Sequence, residues 1–170
     1  MTESAFASLA RDIGIKPGDH VLEIGCGWGG LAIYLHQAAG VDVLGVTLSE
    51  QQLKLARERA EAAGVSSHVR FELVDYRLVE GEFDRIVSVG MFEHVGAAYY
   101  PTFFAKCRSL LKRDGVMLLH TIGKLGKAGA VHDPFVDKYI FPGGHLPSLS
   151  QMCAASEQAR MIVADVETLR

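Results

Sequence analysis

Apolar residues fall in two rhythms along this chain. Short runs of Val, Ile and Leu, bounded by Gly, Pro or Asp, alternate with longer stretches whose apolar positions recur every three or four residues. The first rhythm predicts buried strands and the second amphipathic helices. Strands are expected at His20–Ile24, Val41–Val46, Val69–Val74, Phe83–Val89 and Val116–Ile122, the last entered through an Arg113-Asp-Gly turn. Helices are expected at Ser4–Ile13, Gly30–Ala39, Ser49–Ala63, Ala97–Lys112 and Ser148–Ala159. Ser49 reads as an N-cap, with Gln52 completing a capping box. Met161–Leu169 reads as a final strand.

Strand–helix alternation of this kind demands a doubly wound, mostly parallel Rossmann-like sheet with helices on both faces. The length fits one domain spanning residues 1–170. The rhythm breaks at 123–147, where Gly, Pro and the aromatics Phe135, Tyr139 and Phe141 gather. So long a connection is more often functional than idle. The net charge of -3 gives no electrostatic case for nucleic acid. The stretch reads without a signal peptide, and no apolar run is long enough to be expected to span a bilayer. Three widely spaced cysteines suit reduced thiols in the cytoplasm. No histidine spacing suggests a metal site.

The most informative stretch is Val21-Leu-Glu-Ile-Gly-Cys-Gly-Trp-Gly-Gly30, a strand that delivers an acid, a glycine turn and a helix start. Such a turn lets backbone lie against a ligand at the carboxyl end of a parallel sheet. Gly25, Gly27 and Gly30 satisfy the dinucleotide pattern G-x-G-x-x-G. Glu23, Gly25, Gly27 and Gly29 satisfy E-x-G-x-G-x-G, the pattern of S-adenosylmethionine (SAM) enzymes. The dinucleotide reading also wants an acid at the end of the second strand to hold the ribose. That strand instead runs into Thr47-Leu-Ser49, with no carboxylate before Glu50. The balance turns to SAM. Cys26, inside the turn, reads as a small loop residue rather than a nucleophile.

Further along, Asp84-Arg-Ile-Val-Ser88, Ser88-Val-Gly-Met-Phe-Glu-His-Val-Gly96, His120-Thr-Ile122 and Tyr139-Ile-Phe-Pro-Gly-Gly-His-Leu-Pro-Ser148 occur in order. Together these closely resemble the cyclopropane-fatty-acyl-phospholipid synthases and the related mycolic acid cyclopropane synthases. The likeness runs from about Gly18 to the end of the chain. It implies a class I SAM methyltransferase fold and a carbon methyltransferase. Such an enzyme hands a methyl group from SAM to a cis double bond of a lipid acyl chain, leaving S-adenosylhomocysteine (SAH). The carbocation then loses a proton and closes to a cyclopropane, or keeps the methyl as a branch, with a bound bicarbonate as base.

By motif match, Glu93 and His120 would hold that ion through side chains and Ile122 through its backbone. Glu23, Gly25, Cys26, Gly27, Trp28 and Gly29 fall at the methionine end of the cofactor. Thr47, Leu48, Ser49 and Gln52 fall on the ribose and adenine side, Gln52 replacing the missing acid. Asp75 would accept from the adenine amino group and Tyr76 would stack on the ring. The aromatic segment 135–141 would wall the acyl channel. The partner implied is an unsaturated phospholipid or other lipid, met by a cytoplasmic protein with peripheral contact at the inner membrane surface. Lys124 and Lys127 are candidates to meet anionic headgroups there, against the plainer reading of a solvated loop.

The residues themselves suit this chemistry. An alkene has no proton to remove before attack, so the site must supply orientation, exclusion of water and negative potential rather than an activated nucleophile. The plainer roles are a helix-start carboxylate for Glu93, a satisfied core histidine for His120, and core packing for Tyr76. The family also carries an N-terminal segment with a cysteine near the ion, and a C-terminal part with a tyrosine and a seventh strand. Against that pattern the chain reads as a core piece, expected to bind SAM and to turn over poorly or not at all. Its last strand would have an exposed edge, open to pairing in a homodimer. An amine or small-molecule N-methyltransferase and a SAM-binding module without turnover are the competing functions.

Overall fold

The computed structural model describes residues 3–124, 135, 138–139 and 144–168. These group into two compact units, one holding the chain up to Val89 with Leu110–His120, the other Gly90–Ser109 and the chain from Thr121 onward.

In the first unit, β1 (His20–Ile24), β2 (Asp42–Thr47), β3 (Val69–Leu73), β4 (Phe83–Val89) and β5 (Leu111–His120) form one sheet. Every pairing is parallel, and the order is β3-β2-β1-β4-β5. The chain steps outward from β1 to β3 and then returns to β4. The carboxyl ends of β1 and β4 therefore flank the point where the order reverses, where open sheets of this kind take their ligands. Val21, Leu22, Ile24, Val43, Val46, Ile86 and Val87 are each 2% exposed or less, on both faces of the sheet. That double burial is why the strands read as near-continuous apolar runs.

One face is packed by α1 (Glu3–Asp12), α2 (Gly30–Ala39) and α3 (Glu50–Ala62). Leu31, Ala32 and Leu35 of α2, with Ala56 and Ala60 of α3, join Val21, Val43, Val69, Phe71 and Val87 in one core. A buried charge pins the exit of α1 to the sheet. The Arg85 guanidinium donates to the carbonyls of Ile13 and Gly14, both at 2.8 Å, and lies 3.5 Å from Asp19. With its donors satisfied in this way a buried Arg is tolerated.

Two local expectations change. Ser49 does cap α3 by accepting from the Gln52 N–H at 3.3 Å. The Gln52 side chain, however, accepts from the Thr47 hydroxyl at 2.8 Å, so the nearer hydroxyl wins it from the reciprocal box. In β5 the ladder starts at Leu111 opposite Phe83, then resumes with Val116 opposite Arg85. Lys112–Gly115 fall in this register shift, a bulge at the Arg113-Asp-Gly turn. Regular pairing ends at His120, two residues before the expected end.

The second unit begins with tight turns at Phe92–His94 and Ala97–Tyr99 and continues into α4 (Tyr100–Leu110). The helix expected from Ala97 thus becomes α-helical only at Tyr100, with Pro101 in its first turn, where a missing N–H costs nothing. Phe92 stacks on Tyr100 with ring centroids 4.3 Å apart and meets Phe103 edge-on at 5.0 Å. The helix α5 (Leu149–Gln158) starts with a complete capping box between Ser148 and Gln151.

The last strand does not form. No helix or strand runs through 161–168, and Ile162 is 93% exposed. Arg160, in the left-handed region at φ 59°, turns the chain out of α5, and Met161 is tied back to Ser156 by two hydrogen bonds of 3.0 Å. Ile162, Val163 and Val166 have strand propensity, but propensity without a partner ladder makes no strand. The homodimer expected through that strand loses its basis. Ile140, Phe141 and Lys127 lie outside the described residues; Phe135 and Tyr139 are exposed, with ring centroids 5.3 Å apart. Among the described residues, no helix is long and apolar enough to cross a membrane.

Candidate functional site

In the sheet unit the carboxyl ends of β1, β2 and β3 lie side by side, so residues distant in sequence share one edge. Gly25, Gly27 and Gly29 all take positive φ. Two of them do different work. A Cβ on Gly27 (φ 53°) would meet nothing within 4 Å, so the backbone there borders open space. A Cβ on Gly29 (φ 77°) would lie 2.7 Å from the Phe71 ring and 2.9 Å from Ala56. Gly27 is suited to ligand approach, whereas Gly29 lets α2 start close against β3 and α3. The turn is fixed by the Gly25 and Cys26 N–H groups, both donating to Val46 O at 2.9 and 3.0 Å.

Glu23 is buried to 3% exposure beneath this turn. The Ala32 N–H donates to its carboxyl, yet burial outweighs that bond and pushes the pKa up to about 8. Its Oε2 has no partner among the described residues. Burial and the neighbouring Glu23 push the Cys26 thiol up to about 12, so it is no nucleophile at neutral pH. Trp28 is 48% exposed, and its carbonyl accepts from Arg59 at 3.1 Å.

After β2, the Thr47 hydroxyl donates to Gln52 Oε1 and accepts the Ser49 N–H at 3.1 Å, so that the Gln52 oxygen is engaged and its amide nitrogen is not used in that bond. Leu48 is exposed. After β3, Asp75 caps the short turn Tyr76–Leu78, and the Arg77 side chain holds its carboxylate. Those bonds hold the Asp75 carboxyl below the usual carboxylate range. Tyr76 is partly buried. Arg77 and Arg59 were not legible as parts of this edge. The only signal was an Arg two residues beyond Asp75, a spacing that surface arginines also show.

His120 ends β5, paired with Val89, and its Nδ1 is buried without a partner among the described residues. It is therefore not the satisfied core histidine of the plainer reading.

In the second unit Glu93 is 1% exposed. Its Oε1 accepts the Ile122 N–H at 2.6 Å, and its carbonyl accepts the His145 N–H at 2.7 Å. It sits in the short helical turn Phe92–His94, and the bond its side chain makes is to the distant Ile122. The Ile122 N–H, part of the backbone expected to hold an ion, donates to Glu93 and fixes that carboxylate, leaving Oε2 without a partner among the described residues. Burial, with the Glu93 charge, pushes the Tyr100 phenol up to about 12. The Tyr100 hydroxyl and Thr121 Oγ1 are also buried without a hydrogen-bond partner among the described residues.

Among the described residues no group of three or more His, Cys, Asp or Glu side chains could hold a metal. What the edge does offer is a glycine turn open to backbone approach, a buried acid with a spare oxygen, an amide donor and a fixed carboxylate. On a parallel sheet of this order, that set defines the Rossmann-like class I methyltransferase fold.

Comparison with known proteins narrows the class. The family model described as mycolic acid cyclopropane synthetase matches residues 4–170. The cyclopropane-fatty-acyl-phospholipid synthase of Escherichia coli (strain K12) is 50% identical over 149 residues, 88% of this chain and 38% of that protein. The structure of the cyclopropane synthase MmaA2 from Mycobacterium tuberculosis superposes with a TM-score of 0.88 at 29% identity, over 95% of this chain and 61% of that one. Mycolic acid cyclopropane synthase CmaA1, complexed with SAH and CTAB, superposes with a TM-score of 0.87 at 31% identity, covering 96% and 62%. The chain belongs to the mycolic acid cyclopropane synthetase family. It spans less than half the length of the curated E. coli relative it matches.

Proposed function

We propose that this chain binds SAM at the carboxyl edge of its sheet and serves the transfer of the SAM methyl group to a cis double bond of a lipid acyl chain. The observation that carries this reading is the buried Glu93 carboxylate, clamped through Oε1 and with Oε2 unpartnered among the described residues, in a chain whose sheet edge is built for a nucleoside. The likeness to a cyclopropane-fatty-acyl-phospholipid synthase and to a synthase complexed with SAH supports it.

SAM, when bound, supplies an electrophilic methyl group. Gly25 and Gly27 offer backbone at the turn, Glu23 a carboxyl for the cationic methionine end, Gln52 a donor to the ribose, and Asp75 an acceptor for the adenine amino group. Cys26, Trp28, Gly29, Leu48, Ser49 and Tyr76 shape the same edge. An alkene needs no deprotonation before it reacts, so no base has to activate it. Negative potential and dryness are what favour the developing cation. Glu93, with Ile122 fixing it, supplies a desolvated carboxylate, and His120 an imidazole with Nδ1 to spare. Glu93 would hold a bicarbonate ion, which supplies the base for the proton lost on ring closure. The ion's O–H fits an unpaired carboxylate oxygen such as Glu93 Oε2.

Calorimetric titration of this chain with SAH, followed by incubation with SAM and vesicles of unsaturated phospholipid and mass spectrometry of the acyl chains, tests the reading. SAH binding with a mass gain of one CH₂ per modified chain is the expected result. Methylation of an amine, left intact by Glu93→Gln, would replace it with the N-methyltransferase reading. SAH binding with neither product would leave a cofactor-binding module.

A further inference from the structure

The Asp75 carboxylate is not a free acceptor. The Arg77 backbone N–H and Nε–H both donate to Oδ1 at 2.9 Å, and Nη2 donates to Oδ2 at 2.5 Å. An ionised carboxylate has about four lone-pair positions. Three are taken, all by one residue, and among the described residues no other donor is bonded to Asp75. What remains open is a single position on Oδ2, aimed by a planar fork that Lys could not reproduce. The Asp75 side chain is 19% exposed and that of Arg77 is 57% exposed. The clamp therefore stands at the mouth of the sheet edge, not inside a core where it would be needed for packing.

We propose that Arg77 is a specificity-determining positioning residue: by occupying three of the four acceptor positions of Asp75 it leaves room for one N–H donor, selecting a 6-amino purine over a 6-oxo purine. The inference rests on the reading that Asp75 meets the cofactor base. Arg77 acts through the orientation of Asp75. At the place of the amino group a 6-oxo purine presents an acceptor, which the open lone pair repels, and a carboxylate fixed by the fork cannot turn to meet the N1–H one ring position away. Without the fork the carboxylate can rotate, and the geometry that rewards the amino group is lost.

The test compares SAH with its deaminated analogue S-inosylhomocysteine by calorimetry, on the chain as it stands and on Arg77→Met, Arg77→Lys and Asp75→Asn. SAH should bind the unaltered chain more tightly than the analogue. Arg77→Met should weaken SAH by about tenfold and leave the analogue unchanged, so that the preference falls by the same factor. Arg77→Lys, which keeps the charge and loses the fork, should restore little of it. In a double-mutant cycle, Asp75→Asn with Arg77→Met should lose no more than Asp75→Asn alone, an outcome that a merely structural Arg77 does not give. Melting curves of each variant, with and without SAH, separate loss of fold from loss of preference. An SAH preference unmoved by Arg77→Met overturns the inference while the cofactor reading stands. An unaltered chain that binds neither nucleoside overturns both.

Discussion

The two polar sites of this chain are built on different principles. At the sheet edge, the side chains that follow β2 and β3 bond to close neighbours in sequence: Thr47 with Gln52, Asp75 with Arg77, Ser49 with Gln52. Each piece is a local motif that the parallel sheet merely brings into line. Around Glu93 the bonds are long-range, with Ile122 29 residues away and His145 further still. Here the fold itself makes the site, and one residue ties three segments together, through its carboxylate to Ile122 and through its backbone carbonyl to His145. A locally built edge can lose a member and keep its neighbours, whereas a site held by one residue should fail as a whole.

The largest expected effect therefore falls at Glu93. Glu93→Gln keeps the shape and an acceptor for Ile122 but removes the charge. In a preparation active on lipid it should lower turnover by about 10²- to 10³-fold, the usual range for losing one preorganised electrostatic group. SAH affinity, measured by calorimetry, should stay within about twofold. A parallel collapse of SAH binding would mean that the two sites are not separable. Next come the glycines, which divide the local edge itself. Gly29→Ala adds a methyl group 2.7 Å from Phe71 at a positive φ, and should destabilise by about 3 kcal/mol or more in urea melts. Gly27→Ala, with open space around it, should cost only about 1 kcal/mol of stability, yet weaken SAH binding. Equal stability losses would erase the distinction between a packing and a ligand-facing glycine.

The same contrast explains what the sequence disclosed. The strand–glycine–helix passage at Glu23–Gly30 was legible because its chemistry is local, and β1, β4 and α2 lie where their apolar runs placed them. Asp75 and Gln52 were legible as types, but not their engagement by Arg77 and Thr47, since a pair two or five residues apart has many other ways to bond. The Glu93–Ile122 bond was open to motif likeness alone, because nothing in periodicity reports which distant N–H a buried carboxylate will meet. The misread strand after α5 has a related cause. Ile162, Val163 and Val166 carry a local preference, and a ladder is a long-range event.

Glu23 offers a pH-dependent test. Its folded pKa of about 8 stands above the ordinary 4.5 because burial disfavours the charge. Between those two values the folded chain holds one proton more than the unfolded chain. Stability should therefore fall as pH rises through that window, by up to about 1.4 kcal/mol per pH unit. Glu23→Gln should flatten this part of the profile in urea melts from pH 5 to 8, and SAH should restore stability at the alkaline end only in the unaltered chain. A flat profile without the substitution would mean that Glu23 is already charged in the fold.

The smallest effect is expected at the amino edge of the sheet, which serves as the control for both sites. Asp84 accepts the His20 N–H at 2.9 Å and the Lys112 ammonium at 2.8 and 2.9 Å, joining β1 and β4 to the bulge that opens β5. The backbone bond from His20, then Lys112, holds its carboxyl below the ordinary carboxylate range. Its contribution is thus present at neutral pH and lost as acid drives the pH down through that lowered value. The Lys112 side chain is 43% exposed, so solvent and salt screen the pair. Lys112→Met should cost less than about 1 kcal/mol, and less again in 1 M salt. Asp84→Asn should cost somewhat more, about 1 kcal/mol, because the His20 N–H then loses a charged acceptor. Neither should move SAH affinity, since both act at the end of the strands opposite the glycine turn. A change in affinity from either would show that the cofactor edge is not as locally built as its bonds imply.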